Sequence, residues 1–352
     1  MKDEQGLELV KALDEIEKEK GISKEILLEA IENSLVAACK NEYGKADNIK
    51  VDINRETGVV QVYAEKTVSE EVTDPMLQVS LADAKLIDES YELGDVVRYV
   101  ITPKNFGRIA AGKAKQVVVQ KISEEERKSL FEQYNGKSRD IVTGIVQRYI
   151  GDNISVNLGK ADAILSVNEQ VPGETFKPTE RIKLYVVDVK NTTKGPRITV
   201  SRTHPELVKR LFEQEVTEVK DGTVEIKSIA REAGSRTKVA VYSRNENVDP
   251  VGACVGLNGT RVNTIVDELR GEKIDIINWS EDPEVLIENA LSPAKVISVK
   301  VSPTEKAASV VVPDYQLSLA IGKEGQNARL AARLTGYKID IKSESQVAGA
   351  DY

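Results

Sequence analysis

A short glycine motif that occurs twice is the part of this sequence best suited to hold a ligand. Gly256-Leu257-Asn258-Gly259 and Gly322-Lys323-Glu324-Gly325 both have the form Gly-x-x-Gly, and each follows an aliphatic residue. Because glycine has no side chain, a phosphate can approach the main chain there, and the amides that open the next helix would face it. The dipole of that helix adds partial positive charge. These residues therefore predict phosphate binding.

The surroundings of the two motifs also repeat. Each motif opens an apparent helix, which is followed by the tetrad Lys-Ile-Asp-Ile at 273–276 and again at 338–341. Upstream of each motif, the apolar spacing predicts another helix and two strands, so the order is α-β-β-α-α-β twice. One Gly-x-x-Gly alone would be weak support, since about one or two are expected by chance in such a chain. The duplication predicts two grooves that each hold about four nucleotides of single-stranded RNA.

The two loops differ in charge. Lys323 is expected to meet a phosphate and Glu324 to point away from it, whereas the middle of the first loop is neutral. The residues expected to bind RNA are Gly256, Leu257, Asn258, Gly259 and Arg261 around the first loop and Gly322, Lys323, Glu324, Gly325, Gln326, Asn327 and Arg329 around the second. We therefore expect the second loop to contribute more electrostatic affinity.

Residues for catalysis or metal binding are scarce. The only histidine, His204, precedes Pro205 and a helical pattern, which indicates a structural place at a helix entrance. The two cysteines, Cys39 and Cys254, cannot build a zinc site or a disulfide framework. We expect no catalytic residue, no metal and no cofactor. The net charge of −8 over 352 residues also argues against a simple polycationic nucleic-acid binder.

The first part of the chain predicts a mixed α/β domain. Helical spacing covers 7–19 and 24–40, and strands are expected at 49–53 and 59–63. Residues 102–121 then carry five cations and no acidic residue. Several of these, Lys104, Arg108, Lys113 and Lys115, could share one exposed helix face. That face is either an ordinary solvated surface or one that meets an anion or a polymerase.

In the middle of the chain, the spacing of apolar residues changes from a helical period to the alternation typical of strands. Asn135-Gly136 resembles a helix C-cap, and beyond it five short segments between 140 and 202 alternate apolar with polar residues. Five short strands predict a small OB-type β-barrel. Such barrels bind single strands through aromatic faces and nearby cations, so Arg148 and Tyr149 are candidate RNA contacts.

Three segments give the chain a resemblance to a known family. They are residues 106–111 (Phe-Gly-Arg-Ile-Ala-Ala), residues 199–208 (Thr-Val-Ser-Arg-Thr-His-Pro-Glu-Leu-Val) and the stretch 321–341 around the second loop. On these residues the chain resembles the NusA family of bacterial transcription elongation, termination and antitermination factors over essentially its whole length. The resemblance implies an N-terminal RNA polymerase-binding domain at 1–135 and an OB-fold domain of the ribosomal protein S-one type at 136–203. It further implies tandem type II KH domains at 204–280 and 281–346, followed by a tail at 347–352.

The same resemblance implies the partners. It implies binding to core RNA polymerase and to nascent single-stranded RNA, with other antitermination factors as further partners. The two cysteines fit a reducing cytosol, and no run of apolar residues is long enough to cross a bilayer. We therefore expect a cytoplasmic, non-enzymatic, monomeric protein with no membrane contact. Asn258 departs from the family, which commonly has a basic residue there, and the end at Tyr352 predicts a short form without acidic C-terminal repeats. The alternatives are an accessory RNA-binding protein of ribosome assembly or of RNA decay. The order of the modules argues against RNA decay, because the KH module precedes the OB module in phosphorolytic ribonucleases, whereas here the OB-like barrel precedes the two KH-like repeats.

Overall fold

The computed structural model describes residues 2–43, 48–102 and 106–348, with side chains described for 6–39, 48–102 and 112–347. The chain forms two compact units, Met1–Ser129 and Leu130–Tyr352. Of the helices in the described ranges, none has the length and apolar character needed to cross a membrane.

The first unit is a small sheet beside helices. Its elements are α1 (Lys2–Lys20), α2 (Lys24–Tyr43), β1 (Ile49–Ile53), β2 (Val60–Ser69), β3 (Gln78–Ser80), α3 (Leu81–Lys85), β4 (Val96–Val100) and the first part of α4 (Phe106–Asn135). Strand β2 pairs with each of the other three strands. The apolar face of α2, with Leu27, Ile31 and Leu35, packs in one core with β1 and with Ala114 and Val118 of α4. This confirms a mixed domain, but β3, α3 and β4 were not predicted.

The second unit begins with a closed barrel. Its strands are β5 (Ile141–Ile150), β6 (Asn153–Asn157), β7 (Asp162–Leu165), β8 (Arg181–Thr192) and β9 (Gly195–Ser201), joined in the order β5-β6-β7-β9-β8. All five predicted strands are confirmed. Tyr134, in the last turn of α4, lies in the barrel core and donates its hydroxyl to the Leu158 carbonyl at 2.9 Å.

Two copies of one α+β fold follow the barrel. The first copy comprises α5 (Pro205–Glu215), α6 (Thr217–Lys220), β10 (Val224–Glu232), β11 (Arg236–Ser243), α7 (Pro250–Val255), α8 (Thr260–Glu268) and β12 (Lys273–Asn278). The second comprises α9 (Pro283–Ala290), β13 (Ser298–Ser302), β14 (Ala307–Val312), α10 (Leu317–Ile321), α11 (Gln326–Thr335), β15 (Lys338–Ser343) and α12 (Glu344–Ala348). In each, an antiparallel pair gains a parallel third strand, so the predicted α-β-β-α-α-β order is confirmed.

His204 has the structural place that its sequence context indicates. It is the N-cap of α5, where its Nδ1 accepts from the Glu206 amide at 3.1 Å. Its ring stacks on Tyr185 of the barrel with centroids 4.6 Å apart. Since N-cap acceptors satisfy a donor that the helix itself leaves open, His204 fixes the start of the first repeat against the barrel.

The two repeats share one core. Ala230, Ala240 and Ile277 on the first sheet belong to the same buried cluster as Ile287 and Leu330 on the helices of the second repeat. The fully buried Lys238 donates from Nζ to Asp275 at 3.1 Å and to the Ser292 carbonyl at 2.8 Å. Apolar burial and satisfied charge therefore hold the second repeat on the sheet of the first.

Candidate nucleic-acid interface

The two glycine loops have the same backbone geometry. The first glycines, Gly256 and Gly322, have φ of 74° and 76° with ψ of 172° and 171°. The last glycines, Gly259 and Gly325, have φ of 77° and 75° with ψ of 12° and 14°. The last glycine of each loop is in the left-handed helical region, and the first glycine is in a region that almost only glycine can adopt. The two loops, which were recognised as repeats in the sequence, therefore also have the same backbone conformation.

Close packing gives a second reason for the first glycine of each loop. A Cβ at Gly322 would lie 2.8 Å from the Asn327 main-chain nitrogen, and one at Gly256 would lie 2.8 Å from Cγ of Arg261. The loop thus turns directly onto the start of the following helix.

Hydrogen bonds from the two glycine amides fix the shape of each loop. The Gly256 amide donates to the Gly252 carbonyl at 2.9 Å, and the Gly259 amide donates to the Gly256 carbonyl at 3.1 Å. The second loop repeats both bonds at Gly322 and Gly325. The middle positions, Leu257, Asn258, Lys323 and Glu324, lie in the one-turn 3-10 helices Leu257–Gly259 and Lys323–Gly325, and the first N–H groups of a helix have no partner within it. Each loop can therefore offer two adjacent N–H groups to an anion.

The middle side chains are exposed, as a ligand loop requires. Leu257 is 83% exposed, and Asn258, Lys323 and Glu324 are exposed as well. Lys323 makes no ion pair with any residue whose side chain is described. Arg261, the cation nearest the first loop, instead pairs with Glu218 at 2.8 Å and donates to the Ala253 carbonyl. The greater affinity of the second loop stays a prediction, and this contrast between the cations supports it.

Three residues predicted to bind RNA lie between the repeats or in their core. Gln326 donates to Glu232 of the first repeat at 2.9 Å, and Nε of Arg329 donates to the same carboxylate at 3.0 Å. These bonds lower the pKa of Glu232 below its usual value. Asn327 is only 3% exposed and donates to the Leu291 and Ala320 carbonyls. RNA contact by these residues stays a prediction, while their contacts with the protein join and support the repeats.

The barrel candidates occupy adjacent positions on β5. Arg148 is exposed and lies at a register shift of that strand. Tyr149 is 47% exposed, and its hydroxyl accepts from the Phe176 amide at 3.1 Å. That bond fixes the ring on the surface, where a base could stack on it. RNA contact by both residues stays a prediction.

The basic segment is only partly described. Lys104 lies outside the described residues, and Arg108 lies on α4 with its side chain outside them. Lys113 and Lys115 are exposed on either side of the buried Ala114. Residues two apart on a helix differ by about 200° in direction, so these two lysines do not share one face. Their role as a polymerase surface stays a prediction.

Sequence reasoning missed residues of the first repeat that line a pocket beside the second loop. The pocket has a volume of about 380 Å³, and Ser235, Arg236 and Lys273 lie opposite Gly322 and Lys323. The Lys-Ile-Asp-Ile tetrad marked Lys273 as part of a repeat but did not place it near the other copy. In the part of the chain with described side chains, no group of His, Cys, Asp or Glu could hold a metal ion.

The duplicated fold, with an exposed Gly-x-x-Gly loop in each copy after a five-stranded OB-like barrel, defines a tandem KH protein. Residues 8–128 match the NusA N-terminal domain, residues 202–279 the NusA-like first KH domain and residues 283–348 the NusA-like second KH domain. This chain belongs to the NusA family.

Relatives agree over nearly the whole chain. The transcription termination/antitermination protein NusA of Bacillus subtilis (strain 168) is 58% identical over 96% of this chain and 91% of its own length. The protein of the same name from Halalkalibacterium halodurans is 57% identical over 96% of this chain and 89% of its own length. Among solved structures, the N-terminal domain of NusA from B. subtilis is 52% identical, covering 35% of this chain and 98% of that one, with a TM-score of 0.33.

Proposed function

We propose that this protein is a transcription factor that binds core RNA polymerase and nascent single-stranded RNA to modulate pausing, termination and antitermination. The observation that carries the RNA part is the pair of exposed glycine loops with matching backbone geometry in NusA-type KH domains. The relatives are named as transcription termination/antitermination proteins, which favours this function over ribosome assembly or RNA decay.

Different domains of the chain have different binding partners in this proposal. We propose that the N-terminal domain at 1–135 meets the polymerase and that the barrel at 136–203 and the KH domains at 204–280 and 281–346 bind the transcript. The match of residues 8–128 to the NusA N-terminal domain supports the first assignment. The protein would act in the cytoplasm as a non-enzymatic monomer, with other antitermination factors as further partners.

A paused-transcription assay tests this proposal. With purified polymerase, the full chain should lengthen a hairpin-dependent pause, whereas residues 1–129 should bind polymerase but have a smaller effect. Residues 130–352, which keep Tyr134 in the barrel core, should bind single-stranded RNA. Their log affinity should fall by about 0.7 per neutralised phosphate for each log unit of salt.

Two results would contradict the proposal. An unchanged pause lifetime with the full chain, under conditions where polymerase is saturated, would exclude a role in pausing. A salt-independent affinity of residues 130–352 for RNA would exclude binding through phosphates.

A further inference from the structure

The pocket beside the second glycine loop is built by both KH domains. Its walls include Ser235, Arg236 and Lys273 of the first domain and Gly322, Lys323 and Gln326 of the second. Strand β12 begins at Lys273, whose amide donates to the Ser235 carbonyl at 3.1 Å, so the backbone fixes the position of this lysine. The loop of one domain thus faces the strand end of the other.

Two lysines give this pocket an uncompensated positive charge. Lys273 and Lys323 are exposed, and neither forms an ion pair among the residues with described side chains. The nearby carboxylates of Asp275 and Glu232 form ion pairs with other cations. Asp275 binds Arg236 at 2.7 Å and Lys238 at 3.1 Å, and Glu232 binds Arg329. No Asp or Glu lines the pocket, so its field favours an anion.

The other polar groups of the pocket are also arranged as donors. The Gln326 amide donates to the Ser235 hydroxyl oxygen at 2.7 Å, which leaves the hydroxyl proton for another acceptor. Lys323 and Glu324 lie in the adjoining 3-10 turn, whose first N–H groups have no partner within the turn. Two cations, a hydroxyl and main-chain N–H groups match the oxygens of a phosphodiester.

We propose that this pocket is a composite phosphodiester site, in which Lys273 of the first KH domain and Lys323 of the second bind the same RNA phosphate. This inference rests on the proposed RNA binding and adds a residue outside either glycine loop. The phosphate site of the second loop is incomplete without the first domain.

The duplication supplies a matched control for Lys273. Lys338 begins the tetrad in the second repeat, opens β15 and has its amide bonded to the Lys306 carbonyl at 2.8 Å, as Lys273 bonds to Ser235. Lys338 is exposed too, but it is absent from the pocket between the domains. Lys273→Gln and Lys338→Gln remove the same charge from equivalent strand positions, and only the first removes it from the proposed site.

The test measures the affinity of the full chain for a fluorescent, unstructured RNA of about ten nucleotides, long enough for two KH grooves, over a range of salt concentrations. Lys273→Gln should weaken binding roughly 5- to 10-fold at low salt and reduce the salt slope by about 0.7. Lys338→Gln should change the affinity less than about twofold. Equal effects of the two variants would overturn the composite site.

A double variant tests whether the phosphate is shared. If Lys273 and Lys323 bind one phosphate, the loss in Lys273→Gln/Lys323→Gln should differ from the product of the two single losses. Strict multiplication of the losses would overturn the shared site. The unmodified chain tests the proposed function separately. Salt-dependent binding of RNA by that chain would support RNA binding, and no binding by that chain would contradict it.

Discussion

Gly325→Asp should weaken the binding of single-stranded RNA on the order of tenfold to a hundredfold. The new carboxylate would stand in the second loop, beside the amides of Lys323 and Glu324. Repulsion between two charges a few ångströms apart costs about 1 to 3 kcal/mol at effective dielectrics between those of water and a protein surface. Fluorescence anisotropy with a short unstructured RNA, at fixed salt, measures the effect.

Gly336→Asp is the control for that variant. Gly336 ends α11 with φ of 76° and ψ of 14°, against 75° and 14° at Gly325, and a Cβ there meets nothing within 4 Å. Both variants add one negative charge and place a non-glycine residue in left-handed backbone, at a cost of about 1 kcal/mol. Equal losses of affinity would attribute the effect to stability or net charge and contradict phosphate capture by the loop.

Gly322→Asp is less informative than Gly325→Asp. A Cβ at Gly322 would collide with the main chain at Asn327, so this variant would distort the loop as well as add charge. A loss of RNA binding would then have two causes. At Gly325 the nearest atom to a new Cβ is the end of the Arg329 side chain at 3.4 Å, which can move.

Local periodicity predicted those parts of the fold in which each element buries one regular face. Strand β1 alternates buried and exposed at every residue, and its bounds at 49–53 agree with the prediction. The repeat was recognisable because the loops and the tetrads need particular residue types at fixed spacing. Strand β4, by contrast, has Val96 and Val100 at exposed positions, so apolar and polar residues do not alternate along it in the sequence. An edge strand of this kind is formed by its pairing with β2.

The contacts between modules could not be predicted in the same way. Arg329 and Glu232 are far apart in the sequence and are each ordinary surface residues by type. Their pairing depends on how the second KH domain docks on the first sheet, which is decided by the shared apolar core. From the sequence, Arg329 was therefore expected to bind phosphate because it lies near a glycine loop. In the structure, docking of the second KH domain places Glu232 beside it as an ion-pair partner. Lys273 shows the opposite case, since docking brings a cation that has no ion pair among the described side chains to a loop of the other domain.

Arg202→Met should destabilise the barrel and first KH domain by about 3 to 5 kcal/mol, the usual cost of leaving one partner of a buried ion pair alone. Arg202 is 1% exposed at the end of the barrel. Its guanidinium binds Glu174 of a barrel loop and, at 3.1 Å, Glu268 of α8, and it donates to the Lys183 carbonyl at 3.0 Å. For a unit of this size, the unfolding temperature should fall by roughly 10 °C, measured by circular dichroism.

The control and the second variant separate the ion pair from the loss of packing. Arg181 lies exposed on β8 and makes no ion pair among residues with described side chains, so Arg181→Met should change stability by less than about 0.5 kcal/mol. Adding Glu174→Leu to Arg202→Met removes the stranded carboxylate, which is only 4% exposed, and should restore part of the lost stability. If the double variant is no more stable than Arg202→Met, the buried Glu174 charge is not the cause. In that case the packing of the arginine between the two domains, rather than its charge, holds the barrel to the first KH domain.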